Sequence, residues 1–337
     1  MRNYRLTVLA LAIAVCTVST SAADAPPSLD TVFHTLGFSQ KDIEAVKKGQ
    51  IVSVEPKRTR DDQLIAAVAV PIKATVAALT DGLKTGRNIS VDSDVLSQGK
   101  IDPGGSNPLA AFAFKDSKEI DKLLSSDRAK NFHLSSEEQA MLEKQLAGLN
   151  ANQSGSTEKA MAAYREVLAG RFEAYAKGGL NGVAPYVDGS NTLSPAATLK
   201  SATEQAKSFL SKHFPDFWAA LDGFPKNGSQ AIASDFYWVD REVEGRPAAV
   251  LVHHLYEATD DYLMVSQRQY YVGHTYESLQ MFGLAMPTES GSVIFSVNSI
   301  YTEQITGFFS GVAQSVGEKR TKESMIKHFE AVRKAIQ

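Results

Sequence analysis

Thiol chemistry is almost absent from this chain: of 337 residues, only Cys16 is a cysteine. Charge of one sign is also lacking. The formal net charge is −3, which leaves no basic footprint for nucleic acid and no polybasic membrane anchor. With 12 Pro and 23 Gly the composition excludes collagenous, low-complexity and wholly disordered classes. The longest apolar run, Leu6 to Val15, falls short of the about 20 residues needed to span a bilayer. No HExxH, G-x-S-x-G, P-loop, G-x-G-x-x-G or EF-hand pattern occurs, so the usual warrants for zinc, serine-hydrolase, nucleotide and calcium chemistry are missing. No metal and no cofactor is expected. What is present is apolar bulk. Hydrophobic residues make up 43%, including 16 Phe and 11 Tyr, and a chain of this length buries roughly 75% of its unfolded surface.

The first residues read as an address. Arg2 and Arg5 precede the Leu6–Val15 run, and Ser19 to Ala23 supply small residues before Asp24. That is the layout of a Sec-type signal peptide over residues 1–23. The expectation is an exported protein, periplasmic in a Gram-negative source and secreted otherwise. Cys16 lies within this segment behind Val15, whereas a lipoprotein signal places its cysteine after a small residue at the cleavage point. Removal of the segment leaves a chain without thiols. Disulfides, thiolate metal sites and cysteine nucleophiles are then excluded, and stability rests on the core.

Residues 24–117 read as an N-terminal helix and first strands, 118–224 as a helical insertion, and 225–337 as an antiparallel sheet with a closing helix. Val32, Phe33, Leu36, Ile43 and Val46 follow helical spacing as far as Gly49. Gln50–Val54 and Gln63–Val70 are strand-like, and Pro71–Leu83 returns to helix. Asp102-Pro103-Gly104-Gly105 is a strong turn signal, and Leu109–Phe114 follows as a short strand candidate. Ser135 and Glu138 have capping-box spacing. Met161, Tyr164, Leu168, Phe172 and Tyr175 form an apolar stripe on a helix that stops at Gly178-Gly179. From Asp235 the pattern changes to period two. Phe236–Val239, Ala248–Glu257, Tyr262–Val272, Tyr276–Leu284 and Val293–Ile300 are joined by tight turns, which predicts an antiparallel meander. A helix over Thr302–Ile336 ends the chain.

The fold class expected is α+β: a curved antiparallel sheet gripping a long C-terminal helix, with a mainly helical insertion. A sheet followed by such a helix can bury both surfaces, and a pocket remains between them where side chains do not meet. This order resembles the START-like, or helix-grip, folds over residues 50–115 and 235–337. The resemblance implies binding of lipids, sterols or other apolar molecules. Trp238, His253-His254-Leu255-Tyr256, Gln269-Tyr270-Tyr271-Val272-Gly273-His274, Asn298 and Gly307-Phe308-Phe309 resemble a pattern in a family of uncharacterised exported bacterial proteins. That family usually has Arg after the Asn and Tyr after the His, where this chain has Ser299 and Thr275.

Candidate chemistry is sparse. His253 and His254 are adjacent on a strand, so they point to opposite faces and cannot easily share a metal. Ser97-Gln98-Gly99-Lys100 and Ser324-Met325-Ile326-Lys327 match S-x-x-K, but Lys84-Thr85-Gly86 precedes both, the reverse of the penicillin-binding order. Paired acids at Asp92/Asp94, Glu242/Glu244 and Asp260/Asp261 read as solvated turns and edges. The strands concentrate aromatics whose apolar bodies and polar tips suit the head group of a greasy ligand. Trp238, His254, Tyr256, Tyr271, His274 and Tyr276 are therefore the ligand-binding candidates, for a non-enzymatic protein holding an apolar or amphipathic small molecule between sheet and helix. Two alternatives stand beside it. One is a cavity enzyme with His254 or His274 as general base beside Tyr271 or Glu277. The other is a cell-envelope interaction module using the stripe of residues 161–175.

Overall fold

The computed structural model describes residues 26–189, 191–226, 228–306 and 310–336. The signal segment, Cys16 and Gly307-Phe308-Phe309 lie outside them. Two short helices open the described chain, α1 (Leu29–Leu36) and α2 (Gln40–Lys47). The Ser28 hydroxyl caps α1, and Ser39 with Asp42 forms a reciprocal capping box on α2, which satisfies amide donors with no intrahelical partner. Then come β1 (Val52–Val54), β2 (Gln63–Ile72), α3 (Val76–Lys84), α4 (Arg87–Ser90) and β3 (Val95–Ile101).

The middle of the chain folds as α5 (Ser117–Leu124), α6 (Arg128–Asn131), α7 (Ser136–Gln145) and α8 (Ser156–Gly178). A small hairpin, β4 (Tyr186–Asp188) with β5 (Asn191–Leu193), leads into α9 (Pro195–His213) and α10 (Pro215–Gly223). The capping box at Ser135 and Glu138 opens α7 as its spacing predicts. The meander is β6 (Ile232–Val243), β7 (Arg246–Ala258), β8 (Leu263–Val272), β9 (Ser278–Thr288) and β10 (Gly291–Tyr301), and α11 (Ser310–Ile336) closes the fold.

Eight strands form one antiparallel sheet in the order β1-β2-β10-β9-β8-β7-β6-β3. The sheet is curved and covered on both faces. On one, α5, α7 and α8 pack against Phe236, Trp238, Leu251, Tyr270 and Tyr271. Farther along that face α1, α2, α9 and α10 pack against Leu255, Met264, Leu284 and Phe295. The opposite, concave face meets α3, α4 and α11. Period-two alternation sends Val250, Val252, His254 and Tyr256 to the concave side and Leu251, His253 and Leu255 to the helical layer.

Two local readings are corrected, and one rejected motif finds its place. Leu109–Phe114 is not a strand but a run of turns. Phe112 sits edge-on to Trp238 at 5.6 Å and 6.1 Å from Tyr164, so its apolar residues plug the helical layer instead of pairing. Ser97-Gln98-Gly99-Lys100 falls within β3, an edge strand whose polar composition suits an unpaired rim. A Cβ on Gly99 would lie 2.5 Å from the Trp238 indole, so the strand must be bare there for the ring to lie across it. Within the described residues the terminal helix runs from Ser310 and passes Gly317 unbroken, while Glu303–Ile305 after Thr302 is a separate short 3-10 turn. A Cβ at Gly317 would lie 2.8 Å from both Leu64 methyls, so this glycine lets α11 approach β2 closely.

Candidate functional site

Between the concave face and α11 lies a cavity of about 860 Å³. That volume falls within the roughly 300–1,000 Å³ usual for small-molecule sites. The strand register orders its floor. One row, Leu263, Ala285 and Ile294, is wholly apolar, and α11 covers that end with Phe329, Val332 and Ile336. The next row runs through Val265, Gly283 and Ser296. Beyond it a polar row crosses four strands through His254, Gln267, Met281 and Asn298. Val312 and Val316 line the cavity while remaining 71% and 46% exposed. The mouth therefore lies beside the first turns of α11.

Both long edges of α11 carry ion pairs at the surface, Lys322 with Glu55 and Glu318 with Arg58 on the side of β1 and β2. On the β2 side Met325 packs into a small core with Ala66, Val68 and Val70, and Gly317 sits on Leu64. On the other side the contacts are polar and exposed: Lys327 with Asp94 at 3.2 Å and Arg320 with Glu244 at 3.4 Å. Beneath that edge Arg241 of β6 lines the cavity with its side chain 19% exposed. Burial opposes its charge, but Tyr276, Asp92 and Asp94 more than offset that, so the guanidinium stays cationic. His328 of α11 lines the same end, its imidazole pulled down by burial.

Of the six binding candidates, Tyr276 lines the cavity, and its hydroxyl donates to Gln269 Oε1 at 2.5 Å. His254 and Tyr256 are on the concave face, beneath its surface layer. His254 Nε2 donates to Gln267 Oε1 at 2.8 Å and Nδ1 has no partner, while burial holds the ring down at about 4. Tyr256 donates to Asp235 at 3.3 Å. Trp238 and Tyr271 belong to the opposite face. Trp238 is wedged between Gly99 and Phe112, and the Tyr271 hydroxyl meets that of Tyr164 at 2.8 Å beneath the Arg171 guanidinium. His274 is a hinge-loop tie: Nε2 donates to the Pro247 carbonyl at 2.9 Å and Nδ1 accepts from the Thr275 hydroxyl at 2.6 Å.

The histidine–acid pairs of the enzyme reading are not assembled. Among the described residues neither His254 nor His274 bonds to a carboxylate, Tyr271 is on the wrong face for His254, and Glu277 leaves Oε1 unpartnered, buried near Asp62, Glu303 and Arg60. The stripe of Met161, Tyr164, Leu168, Phe172 and Tyr175 is buried against the sheet, so it offers no surface to a partner. Among the described residues no cluster of His, Cys, Asp and Glu could hold a metal ion, and no helix is long and apolar enough to cross a membrane.

The cavity residues that sequence reading passed over are Arg241, Gln267, Gln269, Asn298 and His328. Arg241 carried a usable signal, since a cation at every-second spacing after Tyr237 and Val239 shares their face. The helical layer also holds an unforeseen polar network. Arg171 pairs with Glu138 at 2.6 Å, and His253 bridges Ser234 and Tyr175 at 2.8 Å each. Burial keeps that imidazole neutral, well below its ordinary value. These groups tie helices to sheet.

No family model matches the chain, and no curated protein matches it significantly. Among solved structures, that of Ara h 8.0201 overlaps 42% of this chain and 89% of its own, at 15% identity and a TM-score of 0.20. At that score the likeness carries no functional argument, and the evidence for function is the cavity itself.

Proposed function

We propose that this protein, exported by its N-terminal signal, binds one amphipathic small molecule between its sheet and α11. The observation that carries this is the 860 Å³ cavity with an apolar end, a polar row across its floor and a mouth at Val312 and Val316. A sheet and helix packed only for stability would interdigitate, because empty space forfeits dispersion contacts and costs stability. The sheet floor is instead greasy along one row and polar along another, the division a molecule with a head and a tail requires. The apolar tail lies along Leu263, Ala285, Ile294 and Phe329, and the head faces Gln269, Tyr276 and Arg241. Native mass spectrometry of protein purified gently from its own compartment tests this. The expected result is a bound mass that organic extraction removes, with uptake of a neutral fluorescent probe by the stripped protein. A clean apo mass together with no probe uptake refutes it.

A further inference from the structure

We infer that Arg241 forms an anion subsite at the polar end of the cavity, and that the ligand head it takes is a carboxylate. This deepens the binding role proposed above and rests on it.

The buried and half-buried arginines of this fold differ in how fully their guanidinium groups are used. Arg246 makes three bonds to the two oxygens of Glu119, at 2.7–3.0 Å. Arg268, fully enclosed, reaches Gln280, Thr203 and the Leu221 carbonyl. Arg241 Nη2 reaches Asp92 Oδ2 at 3.4 Å, and among the described residues its Nε is buried without a partner. A guanidinium paired to a carboxylate normally makes two parallel bonds of about 2.7–2.9 Å. Here that fork is unfilled, and it belongs to a residue lining the cavity. Leaving such a cation short of partners in a low-dielectric site is costly, and a bidentate oxyanion removes the deficit.

The surroundings select the kind of anion. The Tyr276 hydroxyl is committed to Gln269 Oε1, which leaves the Gln269 carboxamide N–H groups as a second donor on the same wall. His328 faces the site from α11. Four acids also line this end of the cavity, Asp92, Asp94, Glu242 and Glu244. Two are answered by α11, Asp94 by Lys327 and Glu244 by Arg320, while Asp92 accepts the Asp94 amide on Oδ1 at 3.0 Å and meets Arg241 through Oδ2 at 3.4 Å. A doubly charged phosphate would face these carboxylates with one guanidinium to neutralise it. A singly charged carboxylate matches the planar fork and adds the least repulsion.

The test compares palmitic acid with methyl palmitate, which share a tail and differ in the charge of the head. Each displaces neutral N-phenylnaphthylamine from the full chain, with near-UV circular dichroism confirming the fold. The wild-type protein is expected to bind the acid at least tenfold tighter than the ester. Arg241→Gln is expected to abolish that preference, the acid losing at least tenfold more affinity than the ester. Equal binding of acid and ester by the wild type, or an acid preference that survives Arg241→Gln, overturns the subsite while the binding role stands. Failure of the wild type to bind the probe or either lipid overturns the binding role itself. Should Arg241→Gln not fold, Arg241→Lys keeps the charge without the fork. It is expected to lose most of the preference, and full retention overturns the bidentate assignment.

Discussion

Filling the cavity from its floor separates ligand binding from stability. Gly283 lies on β9 between Val265 and Ser296 and lines the cavity. Its backbone is not in the left-handed region, and the first atom a Cβ would meet is Met281 Sδ at 3.3 Å. Methionine has three rotatable bonds and yields readily, so a Gly283→Phe side chain can enter the open space. Burying a phenyl ring is worth about 1.5–3 kcal/mol, and crowding Met281 costs about 1–3 kcal/mol. The two nearly cancel, so urea unfolding should place the variant within about 1 kcal/mol of the parent. Binding should not be spared, because the ring occupies the middle of the floor, where tail and head regions meet. Half-saturation of a neutral fluorescent probe is expected to require at least tenfold more protein, a loss of about 1.4 kcal/mol. A folded Gly283→Phe that binds the probe as the parent does would show that the guest is not between sheet and helix, and would refute the reasoning.

Three further outcomes are expected. Gly99→Ala brings a Cβ to 2.5 Å from the Trp238 indole, a rigid ring held by Phe112, so it should cost about 1–3 kcal/mol; an unchanged urea midpoint would show that the indole is free to move. Glu138→Ala strands the buried Arg171 guanidinium beneath Tyr186 and Tyr271 and should cost about 3–5 kcal/mol, read by chemical denaturation, with a loss under about 1 kcal/mol counting against an enclosed pair. Asp240 is fully buried with neither oxygen partnered, and burial pushes its carboxyl up to about 7. A raised folded pKa means the native state holds its proton over a range where the unfolded chain has lost it. Stability from this group is therefore full below about pH 4 and lost as pH rises toward 7. Asp240→Asn should stabilise the protein at pH 8 and leave it unchanged at pH 4. Thermal melts at both values check this, and an equal shift at each would contradict it.

The sequence shows the meander, the helical middle and the closing helix because each rests on a local period: two for the strands, about 3.6 for α8 and α11. It does not show which strand face is hollow. Val250 and Val252 alternate with Leu251 and Leu255, and both sets are apolar because helices cover both faces of the sheet. Hydrophobicity then marks residues that share a side without saying which side holds a guest. Parity also fails where a bulge intervenes. The β7–β8 register shifts between Leu251 and Val252, where Val252 opposes Gln269 and Leu251 opposes Tyr271. Tyr270 is the extra residue, and both tyrosines enter the helical layer, as a bulge allows. Tyr271 and Tyr276, five residues apart, fall on opposite faces, with the irregular stretch that holds Thr275 at φ 77° between them. The aromatics pointed inward by period two are thereby split between layers. The polar residues that reach the cavity, Arg241, Gln267 and Asn298, look unremarkable within apolar strands. Such residues are costly to bury without partners, so a cation placed in phase with Tyr237 and Val239 is a better pointer to a binding cavity than the rings beside it.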